Sequence, residues 1–105
     1  MKGTIWNNGK YYETGAGYGI KIDERDRDKY IKKEWTYLQI LLEGEENFIE
    51  VNINKRSFWG GCSEIINKEI GKWLIKNNKG RWEKYNPPKV KLILLEENKF
   101  RIEFI

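Results

Sequence analysis

The segment SFWGGCSEI, residues 57–65, combines a glycine pair with a cysteine just ahead of an amphipathic segment. Backbone N–H groups at the start of a helix bind anions such as phosphate, because they are unpaired and lie at the positive end of the helix dipole. A P-loop would need Lys-Ser or Lys-Thr after the glycines, and neither follows. The structural alternative is a tight turn with Phe58 and Trp59 packed under the helix. The anion-binding residues that the first interpretation predicts are Gly60, Gly61 and Ser63.

Cys62 is the residue of this segment that could act as a nucleophile, because a helix start favours a thiolate. It has no imidazole base, since the chain contains no histidine. The same absence excludes Ser–His and Cys–His dyads and histidine-ligated metals. A single cysteine excludes an internal disulfide and a cysteine cluster for zinc or iron–sulfur. We therefore predict a protein that is not an enzyme and that uses no cofactor and no metal.

Residues 23–28 (DERDRD) contain four carboxylates, the ligand type that hard cations prefer. The spacing is not that of an EF-hand, because the central glycine and the terminal glutamate are missing. Arg25, Arg27 and Lys29 alternate with the carboxylates and compensate their charge. We expect a solvated helix face here rather than a metal site.

Positive charge is concentrated in the C-terminal half of the chain. Residues 1–53 contain 8 Lys or Arg and 10 Asp or Glu, whereas residues 54–105 contain 12 and 6. Cationic side chains follow phosphates, and exposed aromatic rings stack on bases. The alternative is compositional: Lys outnumbers Arg 15 to 5, as in AT-rich genomes, so the lysines would only solvate a surface around buried tryptophans. The nucleic-acid-binding residues that we predict are Lys55, Arg56, Lys72, Lys76 and Arg81 for phosphates, and Trp59 and Trp82 for stacking.

The glycine-rich stretch GAGYG, residues 15–19, lacks the GxGxxG spacing of a dinucleotide-binding loop. We expect a loop that leads into a strand. With Tyr11, Tyr12 and Tyr18 nearby, the same loop could lie over a nucleic-acid backbone.

Hydrophobic patterning predicts six strands and two helices. In Phe48–Ile53 the apolar residues alternate with polar ones, as in a half-buried strand, and Glu64–Asn78 has the apolar stripe of an amphipathic helix. Ser63 is expected to cap the start of that helix and Gly80 to close its end. The remaining predicted elements are strands Thr4–Asn7, Tyr18–Ile22, Trp35–Leu42, Val90–Leu95 and Lys99–Phe104, and a helix Glu24–Lys32 that Asp23 caps and that buries Tyr30 and Ile31. We predict one α+β domain over residues 1–105, a small, mainly antiparallel, six-stranded, partly open barrel in the order β-β-α-β-β-α-β-β.

This order of elements resembles the pseudobarrel DNA-binding domains of plant transcription factors and of restriction-endonuclease effector modules. The resemblance covers Tyr18–Ile22 with the helix ending at Lys29–Ile31 (IKIDERDRDKYI), a hairpin, a Trp-rich turn, the helix Glu64–Asn78 and a closing hairpin. It implies two arms that grip the DNA major groove. Their rough equivalents here would be Gly15–Tyr18 and Asn52–Trp59.

The expected function is that of a small non-catalytic domain that binds nucleic acid, DNA in particular, through its basic C-terminal half. The alternative is a protein-interaction module that docks on a protein partner through its aromatic surface and binds no nucleic acid. No stretch approaches the ~20 apolar residues of a membrane span, and the N-terminus has no apolar signal region. We therefore expect no membrane association and a cytoplasmic location.

Overall fold

The computed structural model describes residues 1–105. None of its helices is long and apolar enough to cross a membrane. The elements, in chain order, are strands β1 (Lys2–Asn7) and β2 (Tyr18–Ile22), helix α1 (Glu24–Tyr30), strands β3 (Tyr37–Leu42) and β4 (Ile49–Asn52), helix α2 (Arg56–Trp59), strand β5 (Glu64–Ile66), helix α3 (Lys68–Lys76), and strands β6 (Lys89–Glu96) and β7 (Lys99–Phe104).

All seven strands form one sheet in the order β4-β3-β7-β6-β1-β2-β5. Every neighbouring pair is antiparallel except β3 and β7, which are parallel. The two edge strands, β4 and β5, lie close to each other. A hydrogen bond connects them, in which the Asn67 side chain, just after β5, donates to Glu50 O of β4 at 3.3 Å. The sheet is therefore a nearly closed barrel. The prediction of an α+β, barrel-like fold is confirmed, but six strands and two helices are wrong, since the structure has seven strands, three helices and one parallel pair.

The predicted helix Glu64–Asn78 is wrong at its start. Residues Glu64–Ile66 form β5 and pair with β2, and α3 begins only at Lys68. Asn67 is its N-cap, because its side chain accepts from Glu69 N at 2.8 Å. Ser63, the expected cap, has a left-handed φ of 49° and its carbonyl accepts from Ile22 N. The β-branched pair at positions 65 and 66 suits a strand as well as a helix, so pairing with β2 decides between them.

The ends of the helices also differ from the expectation. α3 ends at Lys76, and Asn78, with φ 59°, occupies the left-handed position expected for Gly80. Lys79 N then donates to Leu74 O at 2.8 Å, which closes the helix. Asp23 does cap α1, with its side chain accepting from Arg25 N.

The other predicted strands agree with the structure within two residues at each end.

The burial predicted for the α1 segment is confirmed at Ile31 but not at Tyr30. Tyr30 is exposed, whereas Ile31 and the charged Arg27 are buried. The prediction for Tyr30 is therefore wrong, and the charged side chain that takes part in the core is Arg27.

Helix α3 covers one end of the barrel. Its apolar residues Ile70, Trp73 and Leu74 are buried in the core. Trp73 Nε1 donates to Glu43 O, just beyond β3, at 2.8 Å. The Trp73 ring also stacks on Phe104, the last residue of β7, with 4.1 Å between ring centroids. We call this the α3 end.

Helices α1 and α2 lie at the opposite end, because β2 and β4 both run away from the α3 end toward them. Ile31 and Phe58 are among the apolar side chains that are buried at this end. Arg27 of α1 joins the two helices, with its Nη1 donating to Phe58 O at 2.9 Å. We call this the α1/α2 end. The strands that run between the two ends are typically about 17–20 Å long, which is therefore the separation of the two ends.

Candidate nucleic-acid interface

The residues predicted to bind nucleic acid and anions divide between the two ends of the barrel. The α3 end carries Lys72, Lys76, Arg81 and Trp82. The α1/α2 end carries Lys55, Arg56, Trp59, Gly60, Gly61 and Ser63. These residues therefore do not form one continuous site.

A cleft of about 330 Å³ opens at the α3 end. Its walls come from three separate pieces of chain: the loop between β1 and β2, the end of α3, and the segment that follows α3. We call it the aromatic–basic cleft. The residues that define it are Tyr11, Tyr12, Glu13, Tyr18, Asn78 and Arg81.

The rings of the cleft are held by one another and by Arg81. The Arg81 guanidinium lies 4.7 Å from the centroid of the Tyr11 ring. Tyr11 meets Trp82 edge to face, with 6.4 Å between centroids, and Trp82 lies 6.3 Å from Tyr18. Tyr11 and Tyr12 nevertheless remain 42% and 43% exposed. The cluster thus fixes the exposed Tyr11 ring next to a cation, and Tyr12 lines the same cleft without joining the cluster. An exposed ring beside a cation suits stacking and phosphate contact.

Tyr18 forms the floor of the cleft as a neutral hydroxyl. It is buried, and its OH donates to Gly80 O. Burial raises the pKa of Tyr18, nearby Tyr11 raises it further, and Arg81 lowers it. Because the side chain is buried and its hydroxyl is already used in this hydrogen bond, the floor offers no free donor to a ligand.

A contact between two glycines positions the loop that carries Tyr11 and Tyr12. A Cβ on Gly71 of α3 would clash with Gly15 O, and a Cβ on Gly15 would clash with Lys68 O. Gly15 also has φ 86°, a conformation that glycine adopts without strain. The loop therefore packs directly on the backbone of α3, which places both tyrosines at the end of that helix.

The lysines predicted on α3 are engaged with carboxylates. Lys72 Nζ lies 3.2 Å from Glu69, and Lys76 Nζ lies 3.1 Å from Glu45. Both pairs are exposed, so each is weak. Arg81 forms no ion pair, and neither do two neighbouring cations, Lys79 and Lys84, which lie 5.9 Å and 5.1 Å from the rings of Phe104 and Tyr85.

The loop predicted to bind an anion is organised around Arg27. Its Nη1 donates to Gly60 O at 2.7 Å and to Ser63 Oγ at 2.9 Å, in addition to Phe58 O. Gly60 N–H donates to Arg56 O, and Ser63 is fully buried. The loop thus turns oxygens toward a guanidinium, and Gly61 is the one predicted anion-binding residue that is exposed.

The other predicted residues at the α1/α2 end lie along a shallow surface. Lys55 and Arg56 lie beside Trp59, which is half-buried and packs edge-on against Phe58. The Arg27 guanidinium lies 5.4 Å from the Trp59 ring. Trp59 is therefore largely committed to packing.

Cys62 is exposed at this end of the molecule. No group of three or more His, Cys, Asp or Glu side chains is placed to hold a metal ion.

The sequence-based site omitted Tyr11 and Tyr12, although they were noted beside the glycine-rich loop. The available signal was a Tyr-Tyr pair between two strands, but the distance along the chain between Tyr11 and Arg81 hid the contact of these two residues. The chain matches no protein-family model, no curated protein and no solved structure. The resemblance to pseudobarrel DNA-binding domains therefore stays a prediction.

Proposed function

We propose that this protein is a small nucleic-acid-binding domain, with DNA as the expected ligand, and that it binds through its α3 end. The observation that carries the proposal is the contact of Arg81, a cation that has no carboxylate partner, with the exposed Tyr11 ring, in a cleft that a second exposed tyrosine, Tyr12, also lines. The segment after α3 adds charge, because residues 79–91 contain five Lys or Arg and one Glu. A basic track beside exposed rings provides both phosphate contacts and stacking.

Tyr85 supports the proposal independently. Its side chain is 89% exposed, and its φ of 67° is one that a bulky residue adopts at a cost in free energy. Packing within the protein does not repay that cost, since almost the whole side chain is in solvent. An exposed ring next to Lys84, in a segment with a strained backbone, is suited to contact with a ligand.

Three of the cations without ion pairs lie in or next to the cleft and set the expected energetics. If Arg81, Lys79 and Lys84 each neutralise one phosphate, binding releases about three counterions and the affinity falls steeply with salt. Lys72 and Lys76 contribute less in this account, because a phosphate must compete with Glu69 and Glu45.

The first prediction concerns salt and Arg81. The dissociation constant for a fluorescently labelled DNA oligonucleotide, measured by anisotropy, should rise by about tenfold or more between about 50 and 200 mM salt. Arg81→Gln should weaken binding at low salt. It should also reduce the slope of the logarithm of the dissociation constant against the logarithm of the salt concentration by about one. The dissociation constant of each variant is compared with that of the unmodified chain.

Arg101→Gln is the matched control, because it removes the same charge from an exposed arginine on the outer face of β7 that is paired with Glu103. It should leave the salt dependence unchanged. Equal losses from the two substitutions would mean that only net charge matters, and absence of binding at about 50 mM salt would refute the proposal.

A second candidate function is suggested by a run of exposed apolar residues at the end of β6. Ile93, Leu94 and Leu95 are 37%, 49% and 46% exposed. Clustered exposed apolar side chains are typical of protein-interaction surfaces. A protein partner that stays bound after nuclease treatment would favour this function over nucleic-acid binding.

A further inference from the structure

We infer that the aromatic–basic cleft accepts one unpaired base, so that the protein selects single-stranded over duplex nucleic acid. This inference rests on the proposed nucleic-acid binding and specifies the ligand of the same site. It follows from the size of the cleft, the commitments of its rings and the distribution of charge around it.

The size of the cleft suits one nucleotide. Its volume of about 330 Å³ is at the lower end of the range of small-molecule sites, which is about 300–1,000 Å³. In a duplex each base is stacked on its neighbours and offers only its edges in the grooves. An unpaired base offers its faces, which are what an aromatic wall can contact.

Tyr12 is the wall that remains free to stack. Arg81 lies over the Tyr11 ring, and Trp82 meets that ring edge to face. The Tyr18 hydroxyl is bonded to Gly80 O. Tyr12 has neither an aromatic nor a cationic partner, yet it borders the same cleft and is 43% exposed.

The charges around the cleft determine which part of a nucleotide enters it. Glu13 borders the cleft, so a phosphate placed inside would be repelled, whereas a base edge with donor groups would not. The unpaired cations Arg81, Lys79 and Lys84 lie at its border and along the following segment. The base therefore enters and the phosphates stay outside, which requires a base that is turned out of its stack.

To test this inference, the affinity of the protein for a labelled single-stranded DNA oligonucleotide of mixed sequence is compared with its affinity for a blunt duplex of the same sequence. At about 50 mM salt, where electrostatic contacts are strong, the single strand should bind about tenfold or more tightly than the duplex. Tyr12→Ala should weaken binding of the single strand by about tenfold and leave duplex binding unchanged, because one stacked base is lost. Tyr12→Phe keeps the ring and should keep the affinity.

Tyr37→Ala is the matched control, since Tyr37 is 37% exposed but lies at the start of β3, at the α1/α2 end. It should alter neither affinity. Equal or tighter binding of the duplex, or a single-strand affinity that Tyr12→Ala does not change, would overturn this inference and leave the proposed function standing. Absence of binding to both forms would overturn both.

Discussion

Arg27 shows what a single buried charge does to this molecule. The whole Arg27 residue is only 6% exposed. Its guanidinium donates to three oxygens of the segment 58–63, namely Phe58 O, Gly60 O and Ser63 Oγ. The sequence suggested two separate features here, a solvated row of alternating charges and a glycine loop for an anion. The structure makes them one feature, because the loop is folded around the arginine.

Arg27→Lys should lower the free energy of unfolding by about 2 kcal/mol, because a lysine keeps the charge but cannot reproduce the planar set of charged hydrogen bonds. Urea denaturation followed by circular dichroism measures this. Arg25→Lys is the control on the same helix, where the side chain is exposed, and should change stability by less than about 0.5 kcal/mol. Equal effects of the two substitutions would show that the bonds of Arg27 contribute nothing specific.

The elements were predictable where local periodicity and burial agree. In β7, Phe100 and Ile102 are buried and Arg101 is exposed, as the alternation indicates. On α3, Ile70, Trp73 and Leu74 form the buried face. The prediction fails at residues 64–66, because a short apolar run carries no periodicity of its own and its pairing with β2 is a long-range effect.

The contact between α3 and the tyrosine loop leads to a prediction that runs against helix propensity. Alanine in place of a helical glycine normally stabilises a protein by about 1 kcal/mol. Gly71→Ala should instead destabilise this one by about 1–3 kcal/mol, because the added Cβ meets the backbone of Gly15. Thermal or urea unfolding measures the change.

Gly61→Ala is the control, because its Cβ would meet only a Glu24 side-chain oxygen at 3.6 Å. It should be close to neutral. A Gly71→Ala variant that is more stable than the native chain would mean that the loop is not packed on α3 as described.

At the scale of the whole molecule, the basic half of the sequence is not one basic surface. Lys55 and Arg56 lie at the α1/α2 end, whereas Arg81 lies at the α3 end. Residues 54–105 contribute to both ends because β5, which is antiparallel to β2, carries the chain from the α1/α2 end back to the α3 end before Arg81. Net charge per segment is visible in the sequence, but its division between two ends depends on strand order, which local patterning does not determine. The tyrosines that complete the cleft come from the half of the chain with no excess of positive charge.

The most direct test of the claim that the α3 end binds nucleic acid follows the indole N–H signals of the five tryptophans in proton–nitrogen correlation spectra. Unlabelled single-stranded DNA is added, and Trp82→Phe and Trp59→Phe variants assign the signals at the two ends. We expect the Trp82 signal to shift in a saturable way while the Trp59 signal does not, because only Trp82 contacts the rings of the cleft. A shift of the Trp59 signal with the Trp82 signal unchanged would place binding at the α1/α2 end and contradict binding at the α3 end, as would a titration that moves neither signal.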